Sequence, residues 1–323
     1  MAPGAYAWWC LDALSDDGHH ALVAIIFIGS VFSPYYARAR ARAAAGAGGL
    51  VDAQQHVAIN VALYRTDGGP GARWALTERG ASALQRSASQ LTIGPSQLQW
   101  DGSALLLQLD ERTAPIPRRL RGTVRLHLAA AGSTPPFNLD RAGQHRWWPI
   151  APIARVEVDL QDPAWCWRGA GYLDSNRGAL PLEASFQHWQ WARAALGSQQ
   201  AAVLYDAQER SGAQTHLALH FEAGGSAQPL HAQPVMTQAF NAPLLQPLPR
   251  SLWAVPRSQR SEAGAPPLLH TTLEDMPFYA RSLVQARWLG QPVLAMHESL
   301  RLDRFAMPWV QAMLPFRMPR RAG

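Results

Sequence analysis

His56-Val-Ala-Ile-Asn60-Val-Ala-Leu-Tyr64 alternates with a period of two and contains neither Gly nor Pro. That is the spacing at which successive side chains of an extended strand point to opposite faces. Upstream, Ala21 to Phe32 is a largely apolar run with several β-branched residues. It follows the aromatic segment Tyr6-Ala-Trp8-Trp9 and an Asp17-Gly18 pair, a strong hairpin signal. Downstream, Arg73 to Glu78, Leu91 to Trp100, Leu105 to Leu109 and Gly122 to Ala129 continue as short segments separated by Gly, Pro and Asp. Short strands at this spacing, with no long 3.6-period segment, predict an all-β sandwich or barrel with little helix. Ala37 to Gly49, rich in Ala, Arg and Gly, reads as a loop. Beyond an aromatic block from Gly143 to Ala194, strand-like pieces resume at Ala201 to Tyr205, Thr215 to Phe221, Arg281 to Trp288 and Pro292 to Leu302. The Pro-rich stretch Gln228 to Pro267 reads as loops of a second barrel. A boundary near Pro181 to Phe186 divides the chain into an N-terminal domain, 1–183, carrying the aromatic motifs, and a C-terminal domain, 184–323.

With 48% hydrophobic and only 16% charged residues, the 323-residue chain is too apolar to be disordered. Its net charge of +6 comes entirely from arginine, since the sequence contains no lysine. The arginines are scattered, and no helix-turn-helix, zinc-finger or RNA-binding signature accompanies them, which argues against nucleic acid as a partner. A lipid surface, approached peripherally, suits the basic balance better. The longest apolar run, Leu22 to Phe32, falls short of the ~20 residues of a spanning helix, and its flanks are not those of a signal peptide. Cys10 and Cys166 form no disulfide framework, so a reducing, cytoplasmic setting at the inner or intracytoplasmic membrane is the expectation. The tail from Phe305 to Arg321 mixes apolar and basic residues as interfacial anchors do, although Pro308, Pro315 and Pro319 oppose a continuous helix.

Within the aromatic block, His145 and Trp147, Trp165 and Trp167, Tyr172 and Asp174, and Trp189 and Trp191 each lie two residues apart. On strands each pair projects to one face, so a barrel interior there would be lined by Trp, Tyr, His and a carboxylate. A carboxyl in such surroundings resists ionisation and becomes a general acid. A carbocation made by protonating an alkene is held by aromatic faces, and a histidine is suited to activating the water that captures it. Each residue also has a structural reading: tryptophans on strands usually fill cores, Asp174 in Asp-Ser-Asn-Arg-Gly suits a turn, and His145 alone suits a structural role. No histidine spacing fits a metal site. Nucleotide, flavin and nucleophile-elbow motifs are missing, so neither a cofactor nor a metal is expected.

These segments resemble the carotenoid 1,2-hydratase (hydroxyneurosporene synthase) family. The resemblance is carried by Gly4-Ala-Tyr6-Ala-Trp8-Trp9 with Asp12 and Asp17-Gly18, and by Phe27-Ile-Gly29-Ser30-Val-Phe32-Ser33-Pro34-Tyr35-Tyr36. It continues in His145-Arg-Trp147-Trp148-Pro149-Ile-Ala-Pro152 and in Gly169-Ala-Gly171-Tyr172-Leu173-Asp174-Ser-Asn176-Arg-Gly178, running into Trp189-Gln-Trp191-Ala-Arg193. It implies two lipocalin-like, calycin-type β-barrel domains and cofactor-independent hydration of the C1–C2 double bond of acyclic carotenes such as neurosporene or lycopene. It further implies His145, Trp147, Tyr172 and Asp174 as catalytic positions; Trp148, Trp165, Trp167, Trp189 and Trp191 of the aromatic block are the substrate-binding candidates. Two other readings keep the fold and change the role: a catalyst of pericyclic ring closure, or a carrier of apolar ligands without chemistry.

Overall fold

In the computed structural model, which describes residues 4–47, 49–130, 134–224 and 235–321, the chain is mostly β and forms two large antiparallel sheets. The first contains β1 (Tyr6–Ser15), β2 (His20–Ile28), β3 (Val57–Arg65), β4 (Arg73–Arg79), β5 (Leu84–Arg86), β6 (Gln90–Ile93), β7 (Ser96–Trp100), β8 (Ala104–Arg112), β9 (Arg119–Ala130), β10 (Phe137–Asn138), β11 (His145–Asp162) and β12 (Ala164–Gly178). Its order is β4-β3-β2-β1-β12-β11-β9-β8-β7-β6-β5, with β10 on β11, so the first strand of the chain lies inside the sheet. The second half supplies β13 (Phe186–Ala195), β14 (Gln200–Glu209), β15 (Gln214–Ala223) and β16 (Val235–Ala239). Next come β17 (Leu244–Leu248) and β18 (Arg257–Ser261), a separate ribbon, and then β19 (Leu268–Met276), β20 (Tyr279–Trp288) and β21 (Gln291–Arg301). The second sheet runs β16-β15-β14-β13-β21-β20-β19.

Alternation along the central strands explains how the two sheets meet. On β1, Tyr6, Trp8 and Cys10 belong to a core shared with the second sheet, whereas Leu11 and Ala13 belong to a core inside the curl of the first. On β2 and β3 the split repeats: Val23, Phe27, Ala58 and Tyr64 point outward, and Leu22, Ile26, Ile59 and Val61 inward. β13 divides likewise, with Trp189 and Trp191 facing the first sheet and Ala192 and Ala194 a small core of the second. Strands buried on both faces read as nearly continuous apolar runs, which is why Ala21 to Phe32 shows so little polar alternation.

Helix is sparse: α1 (Pro34–Ala44), the single turns α2 (Leu182–Ser185) and α3 (Leu302–Phe305), and α4 (Pro308–Arg317). The loop expected over Ala37 to Gly49 is helical as far as Ala44. Ser33 Oγ accepts the Tyr35 and Tyr36 amides, Pro34 opens the first turn, and the Ala and Arg residues that suggested a loop are good helix formers. Of the Pro-rich stretch, residues 228–234 lie outside the described residues; the remainder carries β16, β17 and β18.

Candidate active site

A cavity lies where the outer face of the first sheet meets the second. Trp8, Cys10, Asn60, Asp174 and Asn176 line it from β1, β3 and β12. Trp189, Trp191, Tyr205, Tyr279, Arg281 and Glu298 face them from β13, β14, β20 and β21. The site is thus built between the two sheets rather than inside the N-terminal one, and the chain needs both halves to form it.

Asp174 is placed by the β1–β12 register, which sets Asp12 opposite Tyr172 and Cys10 opposite Asp174. Behind the cavity wall, the Trp147 indole N–H donates to Asp174 Oδ2 at 2.7 Å and the Tyr172 hydroxyl donates to the same oxygen at 2.9 Å. Oδ1 is buried and has no partner. Burial pushes the Asp174 carboxyl up to about 8, against the lowering effect of the two donors, and the carboxylates of Asp12 and Glu298 push in the same direction. Since Trp147 can only donate, Oδ2 is an acceptor, and the acid's proton belongs on Oδ1. Beneath Tyr172, whose ring lies 5.5 Å from the Arg193 guanidinium carbon, Arg193 Nε donates to Asp12 Oδ1 at 2.6 Å, tying β13 to β1 in a buried ion pair.

His145 shares the face of Trp147 but stands at the next position of the same strand face, out of the cavity. Its Nδ1 is 2.9 Å from the Tyr6 hydroxyl and its Nε2 2.8 Å from Ser185 Oγ, so both ring nitrogens are engaged. Burial lowers its pKa, which favours the neutral imidazole. Gly178, opposite both His145 and Tyr6, makes room for this pair: a Cβ there would lie 2.6 Å from His145 Nδ1 and 2.5 Å from Tyr6 Cε1.

The structure brings three of the expected residues, Asp174, Trp147 and Tyr172, into one cluster, leaves His145 outside it on Tyr6 and Ser185, and sets Trp189 and Trp191 on the cavity wall. Trp148, Trp165 and Trp167 do not line it. Trp148 follows Trp147 and so points to the other face, where its indole N–H donates to the Thr134 carbonyl and 37% of the residue is exposed. Trp165 and Trp167 lie an odd number of residues from Asp174 on β12, and they pack around the His20 ring on the opposite face. Sequence reading did not single out Tyr205, Glu274, Tyr279, Arg281 and Glu298. The signal for Glu274, Arg281 and Glu298 was weak but present: charged residues within the strands β19, β20 and β21. Among the described residues, no three His, Cys, Asp or Glu side chains are gathered to hold a metal ion.

The family model for carotenoid hydratase CrtC matches residues 24–323. An acyclic carotenoid 1,2-hydratase of Thiocapsa roseopersicina is 51% identical over all of this chain and 75% of its own length. One from Rubrivivax gelatinosus is 46% identical with the same coverage. Among solved structures, an AttH from Nitrosomonas europaea superimposes with a TM-score of 0.56 at 14% identity, over 92% of each chain, a likeness of fold alone.

Proposed function

Since the chain belongs to the carotenoid hydratase family and is a hydro-lyase acting on carotenoids, we propose that it adds water across the C1–C2 double bond of an acyclic carotene such as neurosporene or lycopene, with Asp174 as proton donor. The observation that carries this reading is the uncommitted Oδ1 of a neutral carboxyl on an aromatic wall. Its proton passes to C2, the π electrons form the new C–H bond, and a tertiary cation is left at C1. The faces of Trp8, Trp189, Trp191 and Tyr205 surround that charge in place of water, each contact worth on the order of 1–2 kcal/mol when desolvated. Water then supplies the C1 oxygen and loses one proton, so no net oxidation occurs. Trp147 and Tyr172 hold Oδ2 and thereby keep the reactive proton on Oδ1. His145, with both nitrogens engaged, positions Tyr6 and β12 rather than touching the water. We also propose that the two sheets are two lipocalin-like units, 1–183 and 184–323, with the reaction at their junction.

The test is turnover of purified protein with lycopene and no added cofactor. In deuterated water one deuterium is expected at C2, in oxygen-18 water the hydroxyl is expected to carry the label, and anaerobic turnover should be undiminished. Label arriving from oxygen gas, or a strict need for a redox cofactor, would overturn the hydration scheme. Unchanged lycopene bound tightly to the protein would point to a carrier.

No helix of the described residues is long and apolar enough to cross a membrane. The proposed membrane contact is peripheral and lies on α4, which packs through Val310 and Leu314 while Trp309, Met313 and Phe316 are exposed along one side. Trp309 stacks at 6.2 Å on Trp253, beside the fully exposed Leu252. The patch adjoins the cavity, since Met318, just past α4, lines it and Arg317 covers the ring of Trp74, another lining residue. Losing two large apolar side chains forfeits about 1.5–3 kcal/mol each on full burial, so Trp309→Ser with Phe316→Ser is expected to weaken liposome binding at least tenfold. Unchanged co-sedimentation would exclude this face.

A further inference from the structure

Capture of the cation leaves a protonated alcohol at C1, which must give its proton to a base. The carboxylate left on Asp174 faces C2, where its proton went, and His145 lies outside the cavity with both nitrogens engaged. Three other carboxylates are close: Asp12, Glu274 and Glu298. Asp12 is bound to Arg193 and does not line the cavity. Glu274 lines it, but its Oε2 takes a 2.5 Å hydrogen bond from the Tyr64 hydroxyl, and burial pushes its carboxyl up, toward the neutral form.

Glu298 differs from both. Its Oε1 accepts from Arg281 Nε at 3.1 Å and from Nη2 at 2.6 Å, a two-pronged ion pair. Among the described residues no hydrogen bond reaches Oε2, and the side chain, 18% exposed, lines the cavity from the second sheet. Arg281 is itself anchored, donating through Nη1 to the Tyr64 hydroxyl at 2.9 Å. The cavity therefore holds, on the first sheet, a carboxyl with no cation beside it and, on the second, a carboxylate paired with a guanidinium. Two carboxyl groups in such different surroundings are suited to opposite halves of a proton transfer.

Resting on the hydration reading above, we infer that Glu298 is the base: its Oε2 receives the proton released when water bonds to C1. A protonated tertiary alcohol is a strong acid, so a carboxylate paired with Arg281 accepts from it. What the step requires is an acceptor oxygen uncommitted at that moment, and Oε2 is one. The balance closes as follows: Asp174 loses one proton to C2, Glu298 gains one from water, and water in the cavity returns it to Asp174 before the next turnover.

The experiment is turnover of Glu298→Gln and Asp174→Asn proteins with lycopene in deuterated water, following both product and deuterium in recovered substrate. Glu298→Gln is expected to hydrate at least about a hundredfold more slowly, yet to keep introducing deuterium at C2, because Asp174 still protonates the alkene and takes back a proton. Glu298→Asp, which keeps a charge for Arg281, is expected to fall between the Gln variant and the wild type. A folded Gln variant that hydrates within about threefold of the wild-type rate would overturn the assignment. So would one that loses hydration and exchange together, since the residue would then be holding the cavity in shape. Exchange persisting in Asp174→Asn would instead strike at the acid, and with it the base paired to it.

Discussion

Asp174→Asn is expected to lower hydration by at least about a hundredfold, the usual cost of a lost general acid, and to make the protein more stable at neutral pH. The amide oxygen still accepts from Trp147 and Tyr172, so the cavity wall keeps its hydrogen bonds, but no transferable proton remains. The stability gain follows from the carboxyl being held up to about 8 in the folded chain against its ordinary value of 3.8. Below the lower figure both folded and unfolded chains carry the proton. Between the two the unfolded chain releases it while the folded chain keeps it, so wild-type stability falls with rising pH by up to about 1.4 kcal/mol per unit. Above about 8 both are ionised and the penalty is constant. The advantage of the Asn variant should therefore grow through this window and then level off, as measured by urea denaturation across pH. A carotene has no titratable group, so wild-type turnover should decline above about pH 8 through Asp174 itself. A folded Asn variant retaining more than roughly a tenth of the activity would remove Asp174 from the chemistry.

Arg193→Ala is expected to destabilise the protein by about 3–5 kcal/mol, because it strands a buried carboxylate at the junction of the sheets. Asp12 and Arg193 are almost fully buried, and burial raises the Asp12 carboxyl even with the guanidinium opposing it. Without that guanidinium Asp12 is driven further toward its neutral form. Its raised folded-state pKa makes the loss smallest in acid, where both states hold the proton, and largest once pH has risen through the folded value. Replacing both partners together, Asp12→Leu with Arg193→Met, should restore most of the loss, since buried ion pairs exchange for apolar pairs at little cost. Chemical denaturation of the three variants decides it. A cost below about 1 kcal/mol for Arg193→Ala would mean that water reaches the pair.

Local periodicity made the strands and the cluster of Asp174 with Tyr172 legible. The two-residue spacing of Tyr172 and Asp174 gave a shared face, and the aromatic company gave the reason for a neutral carboxyl. The same rule, carried one step further, excludes Trp148 from the face of Trp147, and Trp165 and Trp167 from that of Asp174. Applied only within pairs, it left all three as candidates. What periodicity could not supply was the apposition of two sheets, since Glu298 and Arg281 reach Asp174 through a contact between strands more than a hundred residues apart in the chain. Helix α1 was missed for a different reason: Ala and Arg were read for their company with Gly rather than for their own preference, and the Ser33 cap was passed over.

The interior position of β1 also governs the order in which the chain can assemble. β2, β3 and β4 follow it directly and can pair as they leave the ribosome, but the other edge of β1 waits for β12, whose Gly178 is the partner of Tyr6. Until then the row of amides along β1 that will bond β12 is open to any other extended segment. Pairings this distant in sequence carry a large loop-closure cost and close late. The buried carboxyl of the cavity is thus put in place by a long-range step of the first sheet: Asp174 arrives on the strand that seals β1, and Tyr172 comes with it.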